Sequence, residues 1–150
     1  MALHKAITPL LLLALVACGG TRPTDLGAGP GGLRSCPATP NCVSSIAQDD
    51  EHRIEPFRIA GSPDAAWSAL EAEIRAMPRT AIVTESPEYL HVEFTSALMR
   101  YVDDVEFALE RGEGRIAVRS ASRVGRSDLG VNRERIEEIR AALRAKDYLE

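Results

Sequence analysis

The stretch VDDVEFALERGEGRIAVRSAS, residues 102–122, decides the fold. Two runs that alternate apolar and polar side chains, 102–110 and 115–122, flank a short polar connection. A two-residue turn at Gly112-Glu113, with glycine first as a type II′ turn prefers, pairs residues whose numbers sum to 225. In that register Leu109 faces Ile116, Phe107 faces Val118 and Val105 faces Ser120, all on one side. On the other side Glu110 meets Arg115 and Glu106 meets Arg119. Moving the turn centre to Glu113 sets Phe107 against Arg119 and Glu106 against Ser120, so apolar match and charge match select the same hairpin. Continuing along the apolar side brings Asp103 opposite Ser122, so the inner face turns polar at one end. Two readings of that end remain open: a strand reaching solvent, or the polar end of a pocket beneath a helix.

The rest of the folded part follows from this hairpin outward. Residues 89–95 alternate Leu90, Val92 and Phe94 with His91, Glu93 and Thr95, as expected of a sheet with one covered face, and residues 80–84 read as a further strand. Residues 55–60 (EPFRIA) form a short strand candidate that ends at Gly61. Ser62-Pro63-Asp64 supplies an N-cap, a proline at the first helical position and an acid in the first turn. Trp67, Leu70, Ile74 and Met77 then recur at helical spacing until Pro78, a stripe that reads as a helix packed on a sheet. After the loop RVGRSDLGV, residues 123–131, Asn132 is placed to cap a last helix whose buried stripe is Ile136, Ile139 and Leu143. The expected architecture is α+β: an antiparallel sheet of about four to five strands, with an N-terminal-side helix and a C-terminal helix on one face. This element order is similar to that of helix-grip domains.

The chain begins MALHKAITPLLLLALVACGG, with one charge at Lys5, an apolar run from Ala6 to Val16 and small residues after it. Eleven helical residues rise only about 16 Å, too short to span roughly 30 Å of hydrocarbon, so residues 1–17 read as a secretory signal. Leu15-Val16-Ala17-Cys18 resembles the lipobox of bacterial lipoproteins, which implies that Cys18 is acylated with palmitate-type chains and becomes the first mature residue. The chain is then expected as a membrane-anchored lipoprotein facing the periplasm, and glycine at the second mature position points to the outer membrane. Removing residues 1–17 from 150 leaves 133, one domain in size, with 17 basic against 22 acidic residues. That acidic balance, without a basic run, gives no footprint for nucleic acid, so the membrane is met through the acyl chains. Residues 18–34, with six glycines and two prolines from Gly19 on, read as a flexible tether ahead of a single domain at 35–150. Gly27, Gly29 and Gly32 match a dinucleotide-binding glycine pattern, but no strand precedes them and no helix follows.

With Cys18 taking lipid, Cys36 and Cys42 remain, spaced CPATPNC. In an oxidising compartment an even remainder points to a disulfide. Zinc needs two more ligands, while the mature chain offers only His52 and His91, and redox pairs normally stand two residues apart. No metal and no cofactor is expected. His52 follows the acidic run 49–51 and His91 alternates outward on its strand, so neither is assigned a catalytic role. The nucleophile-elbow, zincin and phosphate-loop patterns are missing from the sequence, which leaves a hydrolase as the last of three function classes.

The run RSASRVGRSDLGVNRERIEEIR at 119–140, with CPATPNCVSS and DDVEF, resembles a bacterial family of domains of unknown function numbered 1499. The resemblance covers residues 36–143 and implies no activity. By residue chemistry, Arg119, Arg123 and Arg133 with Ser120, Ser122, Ser127, Asp128 and Asn132 fit either a site for a small anion or lipid head group, or a loop organised by its own hydrogen bonds. A site would lie with Asp103 where the 115–122 strand, the 123–131 loop and the last helix meet. The leading expectation is a non-enzymatic binding or interaction domain with a protein or small-ligand partner; a helix-grip carrier of an apolar or anionic lipid-like ligand comes second.

Overall fold

The computed structural model describes residues 19–150; the expected signal segment, residues 1–17, and Cys18 lie outside them. The elements are β1 (Cys42–Ser44), β2 (Phe57–Arg58), α1 (Pro63–Ala76), β3 (Thr80–Ser86), β4 (Tyr89–Thr95), β5 (Val102–Glu110), a 3-10 turn at Arg111–Glu113, β6 (Arg115–Ser122) and α2 (Val131–Arg144). This is the expected α+β fold. The sheet is antiparallel, in the order β1-β6-β5-β4-β3, with β2 also pairing β6 as a sixth strand.

The β5–β6 register matches the charge pattern along its whole length, from Asp103 opposite Ser122 to Glu110 opposite Arg115. The turn differs from the expected type II′. Arg111–Glu113 make a 3-10 turn closed by Gly114, whose φ of 62° is left-handed and whose N–H donates to the Arg111 carbonyl at 3.2 Å. Glycine is required at 114, where a side chain would strain the backbone, and not at 112.

Side chains on the helix-facing side form one core. Leu90, Val92, Val105, Phe107, Ile116 and Val118 meet Leu70 and Ile74 from α1 and Ile136, Ile139 and Leu143 from α2. Each of these is almost wholly removed from water, which is worth about 1.5–3 kcal/mol per side chain. Ser62 caps α1 by accepting the Ala65 N–H at 3.4 Å. The expected cap of α2 is displaced: the helix starts at Val131 behind a left-handed Gly130, and Asn132 lies inside it, fully buried.

The opposite face of the sheet is also covered. Gly19–Arg34, which composition reads as a tether, lies along it. Leu33 is buried against Ala108 and Ala117, and the Gly27 N–H donates to Glu106 Oε1 at 3.1 Å. One backbone N–H of the glycine-rich segment, that of Gly27, thus serves a carboxylate of this face. Beneath it the face is charged, and its acids are paired. Arg119 Nη1 donates to Glu106 Oε2 at 3.0 Å, and the Tyr89 hydroxyl to Glu106 Oε1 at 2.7 Å. Arg123 clamps Asp104 with two bonds of 2.7 Å, His91 Nε2 donates to the same carboxylate at 2.7 Å, and Glu93 joins Arg123 to Arg22.

Candidate functional site

The end of the sheet where β5 begins and β6 stops is organised by one buried amide. Asn132 Oδ1 accepts from Ser120 Oγ at 2.5 Å and from Arg135 Nη1 at 2.8 Å. Its Nδ2 reaches Asp128 Oδ2 at 2.8 Å, Ser122 Oγ at 2.9 Å and the Asn41 carbonyl at 3.1 Å. Asp128 in turn accepts the backbone N–H groups of Asn132 at 2.8 Å and Gly130 at 3.2 Å, doing the capping work expected of Asn132. Burial opposes ionisation of Asp128, but the N–H groups of Asn132 and Gly130 hold its carboxyl below the usual carboxylate range. Asp103 is paired with Arg135 Nη2 at 2.6 Å, and that guanidinium stacks 4.8 Å from the Phe94 ring centroid.

Against this network lies a cleft of about 470 Å³ lined by Ser96, Tyr101, Asp103, Ser122, Val124, Gly125, Ser127, Asp128 and Val131. A second cleft of about 320 Å³ shares Ser96, Asp103 and Val131 and runs on to Phe94 and Arg135. The first is mainly apolar in its walls, with hydroxyls and two already satisfied carboxylates at its floor. Apolar walls with a few convergent polar groups are the general character of small-molecule sites.

The structure divides the candidate residues into three groups. Asp103, Ser122, Ser127 and Asp128 line the cleft, and Ser120 and Asn132 stand directly behind it. Arg119, by the alternation of β6, and Arg123, just past its end, point to the opposite face and are engaged by Glu106, Asp104 and Glu93. Arg133 donates to the carbonyls of Arg53 and Glu51 at 2.8 and 3.0 Å, fastening α2 to the 49–54 loop. An anion site built from these three arginines is therefore not assembled. Arg119 Nε is buried without a protein partner, beside a separate cavity of about 460 Å³ between residues 21–37 and the sheet. Sequence reasoning missed Arg135, Tyr101, Val124 and Val131. Arg135 was findable as the residue three after Asn132, on the same helix face. Tyr101 and its neighbours carried a signal too, since SALMRY places large apolar side chains in a β4–β5 connection.

Cys36 and Cys42 form the expected disulfide, which ties residue 36 to β1. His52 sits under this loop, its Nδ1 2.7 Å from Asp49 Oδ1 and its Nε2 3.1 Å from the Thr39 carbonyl. Neither histidine lines the cleft: His52 serves the 36–52 loop and His91 the polar face. Among the described residues no group of three or more metal-ligating side chains comes together.

A two-helix, six-stranded antiparallel domain with an amide-organised cleft at one sheet end is the class that fold and site define. More specifically, residues 32–143 match the family model described as protein of unknown function (DUF1499), and the chain belongs to that family. No curated protein and no solved structure matches it.

Proposed function

We propose that this chain is a cell-envelope lipoprotein, held by acyl chains on Cys18 and facing the periplasm from the outer membrane, whose domain is a non-enzymatic binding module. The observation that carries the binding role is the cleft of about 470 Å³ at the junction of β5, β6 and α2. Its volume lies in the range of small-molecule sites, and its carboxylates are already neutralised by Arg135 or held by amide donors, so its free chemistry is apolar wall plus hydroxyl. The apolar walls of Tyr101, Val124 and Val131 favour, as a second reading, a carrier of a lipid-like ligand. In either case the ligand enters at the sheet end, because the space between helices and sheet is filled by the core.

Native mass spectrometry of protein purified from its own envelope tests this, beside a Val131→Glu variant. An acid at that first helical position suits the helix terminus and puts a charge into the cleft. The expected result is a co-purifying small molecule on the native chain that is lost from the variant at unchanged thermal stability. A lipid-range mass selects the carrier reading. Native chain recovered without any bound mass, or equal retention by both proteins, overturns the cleft as the site.

A further inference from the structure

Five large apolar side chains are exposed among the described residues: Leu98, Met99, Tyr101, Leu129 and Val131. Four belong to two connections, the β4–β5 loop and the β6–α2 segment, at the same end of the sheet, and Val131 opens α2 directly after the second. Tyr101 and Val131 both line the first cleft. Leu98 is 88% exposed and Leu129 94%, and apolar side chains gathered at one end of a domain mark an interaction surface, unlike ones scattered singly.

The described chain enters at this same end. A Cβ built on Gly19 would lie 3.0 Å from Val102 Cγ2 and 3.9 Å from the Arg100 carbonyl, and one on Gly20 would lie 2.8 Å from Val124 Cγ1. Gly19 is buried there, in contact with the first residue of β5. Gly19, the residue that follows Cys18 in the chain, is thus placed beside the apolar rim. From Gly19 onward the chain runs back along the polar face, with Arg22 on Glu93 and Gly27 on Glu106, so the domain has no slack on which to stand away from its anchor.

We infer that the Leu98–Tyr101 and Leu129–Val131 loop tips dock into the interface of the bilayer that holds the Cys18 acyl chains, with the cleft opening toward the lipid. This rests on the lipoprotein reading. Protein side chains would thus add to the acyl anchor and fix the domain's orientation, sheet end down and the Arg111–Glu113 turn outward. Interfacial insertion of a few apolar side chains is favourable in proportion to the apolar area they bury. Exposed Arg100 and Arg126 sit on the same two loops, where anionic lipid head groups attract cations.

The test uses the full lipidated chain in vesicles of phosphatidylethanolamine with phosphatidylglycerol. Single cysteines at Leu98→Cys, Leu129→Cys and Gly112→Cys carry an environment-sensitive fluorophore. Residue 112 serves as the control because it lies at the far end of β5, roughly 26 Å from Val102 at strand rise. All three positions are exposed, so the labels leave the core intact. The expected result is a blue shift at 98 and 129, with loss of emission when doxyl-labelled lipid is included, and no change at 112. Equal emission at all three positions, on protein whose intact mass shows acylated Cys18, overturns docking and leaves the lipoprotein reading standing. A shift that follows protein density on the vesicle and is insensitive to doxyl lipid assigns the rim to a second copy and also overturns it. An intact mass without acyl chains overturns the anchored reading, and docking with it.

Discussion

Replacing Asn132 by alanine removes the amide that joins α2, β6, the 123–131 loop and the Asn41 turn. Its Nδ2 has two protons for three acceptors within 3.1 Å, so two donated bonds and two accepted ones are fully made at any moment. At roughly 1 kcal/mol net per bond this is about 4 kcal/mol, and the buried Ser120 hydroxyl and Asn41 carbonyl left behind add desolvation cost where water does not reach them. A loss of about 3–5 kcal/mol is expected, a large share of the roughly 5–15 kcal/mol that holds an ordinary domain. Urea unfolding followed by Trp67 fluorescence measures it. With a slope of about 2 kcal/mol/M, typical of small proteins, the midpoint falls by roughly 2 M at unchanged slope. Asp128→Ala, at a partly exposed position, is expected to cost less, about 1–2 kcal/mol. Leu129→Ala should stay within about 0.5 kcal/mol, because that side chain touches little. A cost below 1 kcal/mol for Asn132→Ala, or one smaller than that of Asp128→Ala, refutes the amide as the organiser of the site.

Two further outcomes follow from the 36–52 loop. Replacing Cys36 and Cys42 together by serine opens a loop of six-residue separation and should lower stability by about 2–2.5 kcal/mol while the sheet persists; circular dichroism that shows a lost sheet sinks this local role. His52 presents both ring nitrogens to acceptors. Burial pulls its pKa down, but the Asp49 and Thr39 hydrogen bonds outweigh it, and the net direction is upward from 6.5. Its stabilising contribution is therefore complete below about pH 6.5 and is lost as pH rises through the raised folded value. Asp49, held low by His52, contributes above about pH 3.8 and loses that contribution as pH falls through its own depressed value. Proton NMR titration of the His52 ring should give a midpoint above 6.5, moving down in Asp49→Asn; a midpoint at or below 6.5 contradicts the pairing.

How much of this was legible before the structure depended on which signal each element carries. The β5–β6 register was readable because two independent properties, apolar matching of Phe107 with Val118 and charge matching of Glu106 with Arg119, select one alignment. Strand β1 was not readable. Its three residues are too few to show a period, and its place beside β6 comes from the Asn41 turn and the disulfide. The covered second face was also hidden. His91, Asp104, Glu106 and Arg119 look like a solvated row in sequence, yet they are buried because each charge there meets an opposite charge or a donor. What covers them is a glycine-rich segment that composition reads as a flexible tether, bonded to Glu106 through the Gly27 N–H.

The site itself was half legible for the same reason. Alternation along β6 sends Ser120 and Ser122 to the helix side and Arg119 to the other. The loop that follows returns Arg123 to the polar face as well, 2.7 Å from Asp104. Folding therefore separates in space groups that stand together in sequence, the arginines from the hydroxyls. The cleft receives its cation from α2 instead, as Arg135 on Asp103. This division has a physical rationale. A guanidinium buried at the polar face finds a second and third acceptor there, whereas in the apolar cleft it would face Val124 and Val131 with no acid but those already bound. Arg119, Arg123 and Arg133 therefore fix strand, loop and helix in place, and on the proposed binding reading recognition falls to side chains with no structural bond to make: Tyr101, Val124 and Val131 at the cleft walls, with Leu98 and Leu129 exposed on the adjoining loops.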